Sequence, residues 1–157
     1  APLIADTAET GAVLLRESTV QRTMELARSV DVALIGLGTV SEDSPLARLG
    51  FIDALQFDVL RRQGAVGDTL ARYFDIHGRP VETELNNRII GLTLEDLKKL
   101  ECVVAVAGGR EKTATILGGL RGGFIDVLIS DEDTVQEVLR LNNADSGASL
   151  SGSARGR

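Results

Sequence analysis

Residues Glu101 to Ser130 constrain the fold more tightly than any other part of the chain, because they hold two short apolar runs separated by a glycine pair and an amphipathic segment. Cys102-Val103-Val104-Ala105-Val106-Ala107 is an unbroken series of small and β-branched residues, the pattern of a strand buried on both faces of a parallel sheet. Gly108-Gly109 ends it. Thr113, Ile116, Leu117 and Leu120 then fall at i, i+3, i+4 and i+7, which gives a helix one apolar face to lay on that sheet. Arg121-Gly122-Gly123 supplies glycines for a left-handed C-cap, and Ile125-Asp126-Val127-Leu128-Ile129 returns as a second strand. Such a crossover is right-handed and parallel in nearly all proteins, so the unit is βαβ. Ligands of open parallel sheets sit beyond the carboxyl ends of the strands. Gly108, Gly109 and the first helical turn with Lys112 are expected there, where a phosphate would meet free backbone N–H groups, the positive helix end and an ammonium.

A chain of 157 residues with 43% apolar content can build one sizeable core. With four Phe, one Tyr and no Trp, that core is mainly aliphatic, which suits a sheet covered by helices. The formal charge of −6 argues against this part of the molecule gripping nucleic acid by itself. Cys102 is the only cysteine, so neither an intrachain disulfide nor a cysteine zinc site can form, and inside an apolar strand it reads as a small hydrophobe. No run reaches membrane-spanning length and no signal peptide is recognisable, so a cytoplasmic location with no membrane partner is expected.

The rest of the chain fills in around that unit. Pro2 to Ala5 suits an outer strand, Asp6-Thr7 caps a helix over Ala8 to Leu15, and Ser18 with Gln21 has capping-box spacing for a helix carrying Val20, Met24 and Ala27 on its apolar face. Asp31-Val32-Ala33-Leu34-Ile35-Gly36-Leu37-Gly38 repeats the arrangement of strand followed by glycines. Ser41 to Ser44 is polar punctuation before a short helix opened by Pro45, and Ile52, Leu55 and Val59 mark the inner face of the next helix, which ends at Arg61-Arg62. Gly64 to Asp68 reads as a flexible loop, Leu70 to Phe74 as a strand, and Asp75 to Gly78 as the turn of a hairpin. Thr93 with Asp96 caps a helix to about Leu100, and Ser130-Asp131 caps the last helix, which carries Val135, Val138 and Leu139. From Asn142 onward the small polar composition predicts a flexible tail, residues 142–157.

Gly36-Leu37-Gly38 opens like a dinucleotide fingerprint, but its third glycine would fall at Ser41, so a dinucleotide site is rejected and no cofactor is expected. The turn still borders any ligand at that strand end. Asp68 is either a solvated turn residue or a hydrogen-bond acceptor for sugar hydroxyls, and Lys112 is either an ordinary helix lysine or a phosphate counter-ion. His77 has no second His, Ser or Cys to work with, and no nucleophile and base pair, metal cluster or Walker loop appears. Gly38, Asp68 and Lys112 are expected to converge at one end of the parallel sheet.

Four motifs, in order and at matching intervals, together resemble one family. They are Asp31-Val32-Ala33-Leu34-Ile35-Gly36-Leu37-Gly38; Gly64-Ala65-Val66-Gly67-Asp68 with Arg72-Tyr73-Phe74-Asp75 and Gly78; Ile89-Ile90-Gly91-Leu92-Thr93-Leu94-Glu95-Asp96-Leu97; and Val104 to Lys112 with Leu120 to Leu128. From about Pro2 to Leu141 the chain resembles the effector-binding domain of SorC-type, sugar-binding bacterial transcriptional regulators. The resemblance implies an α/β fold with a three-layer, Rossmann-like parallel sheet, similar to glucosamine-6-phosphate deaminase and ribose-5-phosphate isomerase. It implies residues 1–141 as the sugar-binding domain, truncated at its N-terminus, with DNA bound only through a separate helix-turn-helix. By the same resemblance Asp68 holds sugar hydroxyls, Lys112 contacts phosphate, Gly36, Gly38, Gly108 and Gly109 line the site as backbone, and Arg48 stands where the family often has a basic residue.

The function implied is sensing of a phosphorylated sugar without turnover, in a homo-oligomer (dimer or tetramer). The alternative is a sugar-phosphate isomerase or deaminase of the same fold, for which Asp68 is the one candidate base.

Overall fold

The computed structural model describes the backbone of residues 1–151 and the side chains of residues 1–145. In chain order the elements are α1 (Ala8–Leu14), α2 (Ser18–Arg28), β1 (Ala33–Gly36), β2 (Gly38–Thr39), α3 (Pro45–Arg48), α4 (Ala54–Arg62), β3 (Ala65–Thr69), β4 (Arg72–Asp75), α5 (Leu94–Leu97), β5 (Val103–Val106), α6 (Thr113–Gly122), β6 (Val127–Ile129) and α7 (Glu132–Ser151). Short 3₁₀ turns occupy Glu84–Arg88 and Arg110–Lys112. The expected βαβ unit is present as β5, α6 and β6, within a three-stranded parallel sheet of order β1-β5-β6. Its register pairs Ala33 with Val103 and Val104 with Val127. A second sheet, β2-β3-β4, is antiparallel.

Helix α6 lies between the two sheets. Ile116 and Leu117 join Ile35, Val103, Ala105 and Phe124 in the larger core, while Thr115 on the other side donates to the Val66 carbonyl at 2.7 Å. The approach to the hairpin is close enough to demand glycine. A Cβ at Gly67 would collide with the Thr115 side chain, and one at Gly118 would stand 2.6 Å from the Asp75 carbonyl. Phe74 crosses this boundary to meet Phe124 edge-on, with centroids 5.0 Å apart. A smaller core gathers Phe57, Leu60, Tyr73, Leu85 and Ile89 between α4, the hairpin and the 3₁₀ turn over Glu84–Arg88. Arg72 ties that turn down by donating to the carbonyls of Asn86, Ile89, Gly91 and Leu92.

Several expectations need correction. Gly64 to Asp68 is not a loop: Ala65–Thr69 is a strand because it is paired on both sides, and the hairpin turns at Leu70-Ala71. The turn over Asp75 to Gly78 is real, and Asp75 accepts from the His77 and Arg79 amides there. In α2 the cap is Glu17 and Gln21 reaches back to the Leu15 carbonyl instead of completing a capping box. In α4 the buried residues are Phe57 and Leu60, whereas Leu55 and Val59 are exposed. Pro2 to Ala5 contributes a single bridge, Ile4 to Ile89. The backbone of α7 runs on through Ser151, with Arg121 donating to Asn142 and Asp145; residues 152–157 of the expected tail lie outside the described residues. Finally, the parallel strands are not buried on both faces. Val106, Val127 and Ile129 stand exposed.

Candidate functional site

The site begins with the pairing of β2 and β3. Gly38 lies directly opposite Asp68, and a Cβ at Gly38 would collide with Asp68 Oδ1, so the glycine makes the space that the carboxylate occupies. The hairpin then reverses through Leu70 and Ala71, both in the left-handed region at φ 52° and 62°. Two-residue hairpins require that conformation, and residues other than glycine resist it. Asp68 helps to hold the turn, since its Oδ2 accepts the Ala71 N–H at 3.2 Å. Thr69 fixes the strand to the end of the parallel sheet through a 3.0 Å bond to the Gly36 carbonyl. Burial pushes the Asp68 carboxyl up to about 6, with the Ala71 amide opposing the rise only in part. The same burial, together with the Asp68 charge, pushes the Tyr73 phenol up.

Lys112 arrives from the other strand end. It closes the 3₁₀ turn over Arg110–Lys112 and stands at the N-cap of α6, one position before the helix proper. Lys112, Asp68 and Gly38 line one cleft of about 450 Å³, so these three residues, remote in sequence, are brought together as expected. Asp68 and Lys112 share the cleft without forming an ion pair. A half-buried carboxylate with one oxygen unengaged by the described residues and an ammonium without an ion pair among them form an acceptor and a cation facing common space, a geometry suited to a hydroxyl-rich anion.

The other expected residues do not join them. Gly36 meets the site only through its carbonyl bond to Thr69. Arg48 is exposed at the far end of α3, whose opening residues Ser44 and Pro45 do line the cleft. Gly108 and Gly109 face away for a clear reason. The Gly109 N–H donates to Asp131 Oδ2 at 3.1 Å and to Thr134 Oγ1 at 2.8 Å, and a Cβ on Gly108 would stand 2.6 Å from that same Asp131 oxygen. The amide expected to await a phosphate is satisfied by the cap of α7.

Thr39, Ser41 and Ser44, by contrast, line the cleft and were not singled out from the sequence. The signal was present in a hydroxyl-rich stretch immediately after a strand-end glycine. Ser41 and Ser44 also carry local structure, accepting from the Asp43 and Ala47 amides, which is why they read as turn residues. A second cavity of about 560 Å³ lies between α4 and the 3₁₀ turn over Glu84–Arg88 and contains none of the expected residues. Among the described residues no group of three or more His, Cys, Asp or Glu side chains is placed to hold a metal ion, and no helix is long and apolar enough to cross a membrane.

Comparison with known proteins gives the arrangement a context. The family model Sugar-bind, described as "Putative sugar-binding domain", matches residues 1–140. The transcriptional regulator LsrR of Klebsiella pneumoniae is 38% identical over 144 residues, spanning 90% of this chain and 45% of that protein. The deoxyribonucleoside regulator of Bacillus subtilis is 33% identical over 138 residues, with 88% and 44% covered. Among solved structures, a DeoR family transcriptional regulator from Listeria monocytogenes superposes with a TM-score of 0.84 at 30% identity, covering 88% of this chain and 56% of that one. The full-length sorbitol operon regulator SorC from Klebsiella pneumoniae gives 0.80 at 25% identity, with 88% and 45% covered. The chain thus spans less than half the length of the curated relatives it matches.

Proposed function

The chain belongs to the Sugar-bind family, and from that premise we propose that residues 1–141 form the effector-sensing part of a transcriptional regulator, taking a phosphorylated sugar in the cleft between Gly38, Asp68 and Lys112. The observation that carries the reading is the meeting of one half-buried acceptor and one cation without an ion pair among the described residues in the same cleft. Asp68 Oδ1 accepts from sugar hydroxyls, the hydroxyls of Thr39, Ser41 and Ser44 add further polar contacts, and Lys112 supplies the counter-charge for the phosphate. Ligand occupancy alters DNA binding by an element outside this chain, in a cytoplasmic homo-oligomer.

The test is calorimetric titration of wild type and Lys112→Ala with a phosphorylated sugar and with its unphosphorylated form. One charge-assisted hydrogen bond is worth roughly 1.5 to 3 kcal/mol, so the phosphosugar should lose about tenfold to a hundredfold in affinity while the free sugar loses little. Equal affinity of both proteins for the phosphosugar removes the assigned role. The raised Asp68 carboxyl is also what a general base requires, which favours isomerase or deaminase chemistry as a second reading. Sustained turnover of a sugar phosphate, abolished in Asp68→Ala, would establish it; the sensing reading expects none.

A further inference from the structure

The cavity of about 560 Å³ between α4 and the 3₁₀ turn over Glu84–Arg88 is larger than the cleft and shares no residue with it. Its volume suits a small molecule. Val59 and Leu60 from α4 and Leu85 from the turn give it an apolar wall, and Glu82, Thr83 and Glu84 line it beside them. A neighbouring cavity of about 240 Å³ is lined in part by Tyr73 and Asn86. The two meet at Glu82 and Asn87, which line both.

The stretch of chain between these cavities holds polar atoms that are withdrawn from water and left without a partner. Tyr73 OH, Thr83 Oγ1 and Asn86 Oδ1 are buried and make no hydrogen bond among the described residues, and Tyr73 is only 1% exposed. Each such atom loses its hydrogen bonds to water without replacement, and folded proteins keep few of them. Thr83 stands at the N-cap of the 3₁₀ turn, where a threonine hydroxyl ordinarily accepts a backbone amide, and makes no such bond. Asn86 uses only its Nδ2 group, which donates to the Val81 carbonyl at 2.9 Å.

The charges are one-sided as well. Neither Glu82 nor Glu84 forms an ion pair among the described residues. Arg72 is the one described cation lining either cavity, and its guanidinium already donates to four backbone carbonyls. A phosphate would therefore meet carboxylates and no free cation in the larger cavity, the reverse of the cleft at Lys112. An ammonium suits that cavity. The smaller one, with Arg72 in its wall, suits a neutral hydrogen-bonding group instead.

We infer that the two cavities form a second binding site, for a small aliphatic amino alcohol. Its ammonium takes Glu82 and Glu84 as counter-ions, its hydrocarbon stem lies on Val59, Leu60 and Leu85, and its hydroxyl pairs with Tyr73 OH and Asn86 Oδ1. Glu82 and Asn87 are exposed and their side chains make no hydrogen bond among the described residues, so both swing aside to let the hydroxyl through. The inference stands whether or not the cleft takes a sugar phosphate.

The test is calorimetric titration of this chain with 5-aminopentan-1-ol and with 1,5-pentanediol, which has the same length and no charge. Saturable one-to-one binding of the amine is expected, at a Kd of about 1 mM or tighter and about tenfold tighter than the diol. Glu82→Gln combined with Glu84→Gln should weaken the amine about tenfold. Glu132→Gln combined with Asp133→Asn, the same change of charge in the first turn of α7, should leave it unchanged, as should Lys112→Ala. Tyr73→Phe should weaken the amine about fivefold while the free protein stays as stable as wild type or gains stability, because the hydroxyl it removes has no partner. Absence of saturable binding, equal affinity for the diol, an equal loss in the α7 control, or unaltered affinity in Tyr73→Phe would each overturn the inference.

Discussion

Two strand ends in this molecule look alike in sequence and are used in opposite ways. At the end of β1 the chain reads Gly36-Leu37-Gly38, and after β5 it reads Ala107-Gly108-Gly109. At the first, glycine clears space for a carboxylate that keeps an oxygen free of the chain. At the second, the Gly109 amide is taken up by Asp131 and Thr134. Glycine at a strand end permits close approach, but what approaches decides whether a site results. At β5 it is the chain's own helix cap, whereas at β1 it is a hairpin whose acid is only partly satisfied.

The sharpest way to break the comparison is to add one methyl group at each end. Gly38→Ala forces Asp68 aside, and overpacking of this kind costs about 1 to 3 kcal/mol. Affinity for the phosphosugar, read by calorimetry, should fall up to about a hundredfold. A Gly38→Ala protein that binds normally would separate the carboxylate from the cleft's function.

The next effect concerns how two of the molecule's acids, Asp68 and Asp96, titrate. Asp68 rises to about 6 through burial, so between about pH 4 and 6 the unfolded chain gives up this proton while the folded chain keeps it. Stability therefore falls as pH rises through that window, by about 2 kcal/mol once partial solvent access is allowed for, and stays lowered above it. Asp68→Asn should remove this slope in denaturant unfolding across pH 4 to 7. Asp96 is the opposite case. Burial pushes it up, but donors from Arg28 and Thr93 outweigh that and hold it at about 2, so its contribution is lost as pH falls from about 4 toward 2.

Gly108→Ala should matter less than Gly38→Ala and in a different measurement. It presses on the Asp131 cap and should lower thermal stability by about 1 kcal/mol with phosphosugar affinity unchanged. A matching affinity loss would return the β5 end to the binding site. Smallest of all, Arg48→Ala should alter stability by less than about 0.5 kcal/mol and affinity within titration error, as expected of an exposed side chain outside the cleft.

The βαβ unit was legible because its apolar runs and glycine punctuation are local. The convergence of Gly38, Asp68 and Lys112 followed from the rule that strand ends gather ligands. Strand β3 was not legible. Ala65-Val66-Gly67-Asp68-Thr69 lacks the look of a strand, and its order comes from partners on both sides together with a glycine demanded by Thr115. The sealing of Gly109 was equally hidden, since Asp131 announces itself as a cap for its own helix and gives no sign that its second oxygen reaches another element. The bare sheet face misled for a related reason. Val103 to Val106 reports that both faces are apolar, and apolarity is a property of the strand while coverage is a property of its neighbours.

The hydrogen bond from the Ala71 amide to Asp68 makes the hairpin tip a built-in spectroscopic reporter. That amide sits in a left-handed turn, separate from the regular ladder, and its proton resonance senses the charge of one carboxylate directly. In a ¹⁵N-resolved spectrum the Ala71 cross-peak should track Asp68 through its titration near pH 6. The same peak should move again when a hydroxyl engages the other carboxylate oxygen, giving a label-free signal with which to screen candidate effectors one by one.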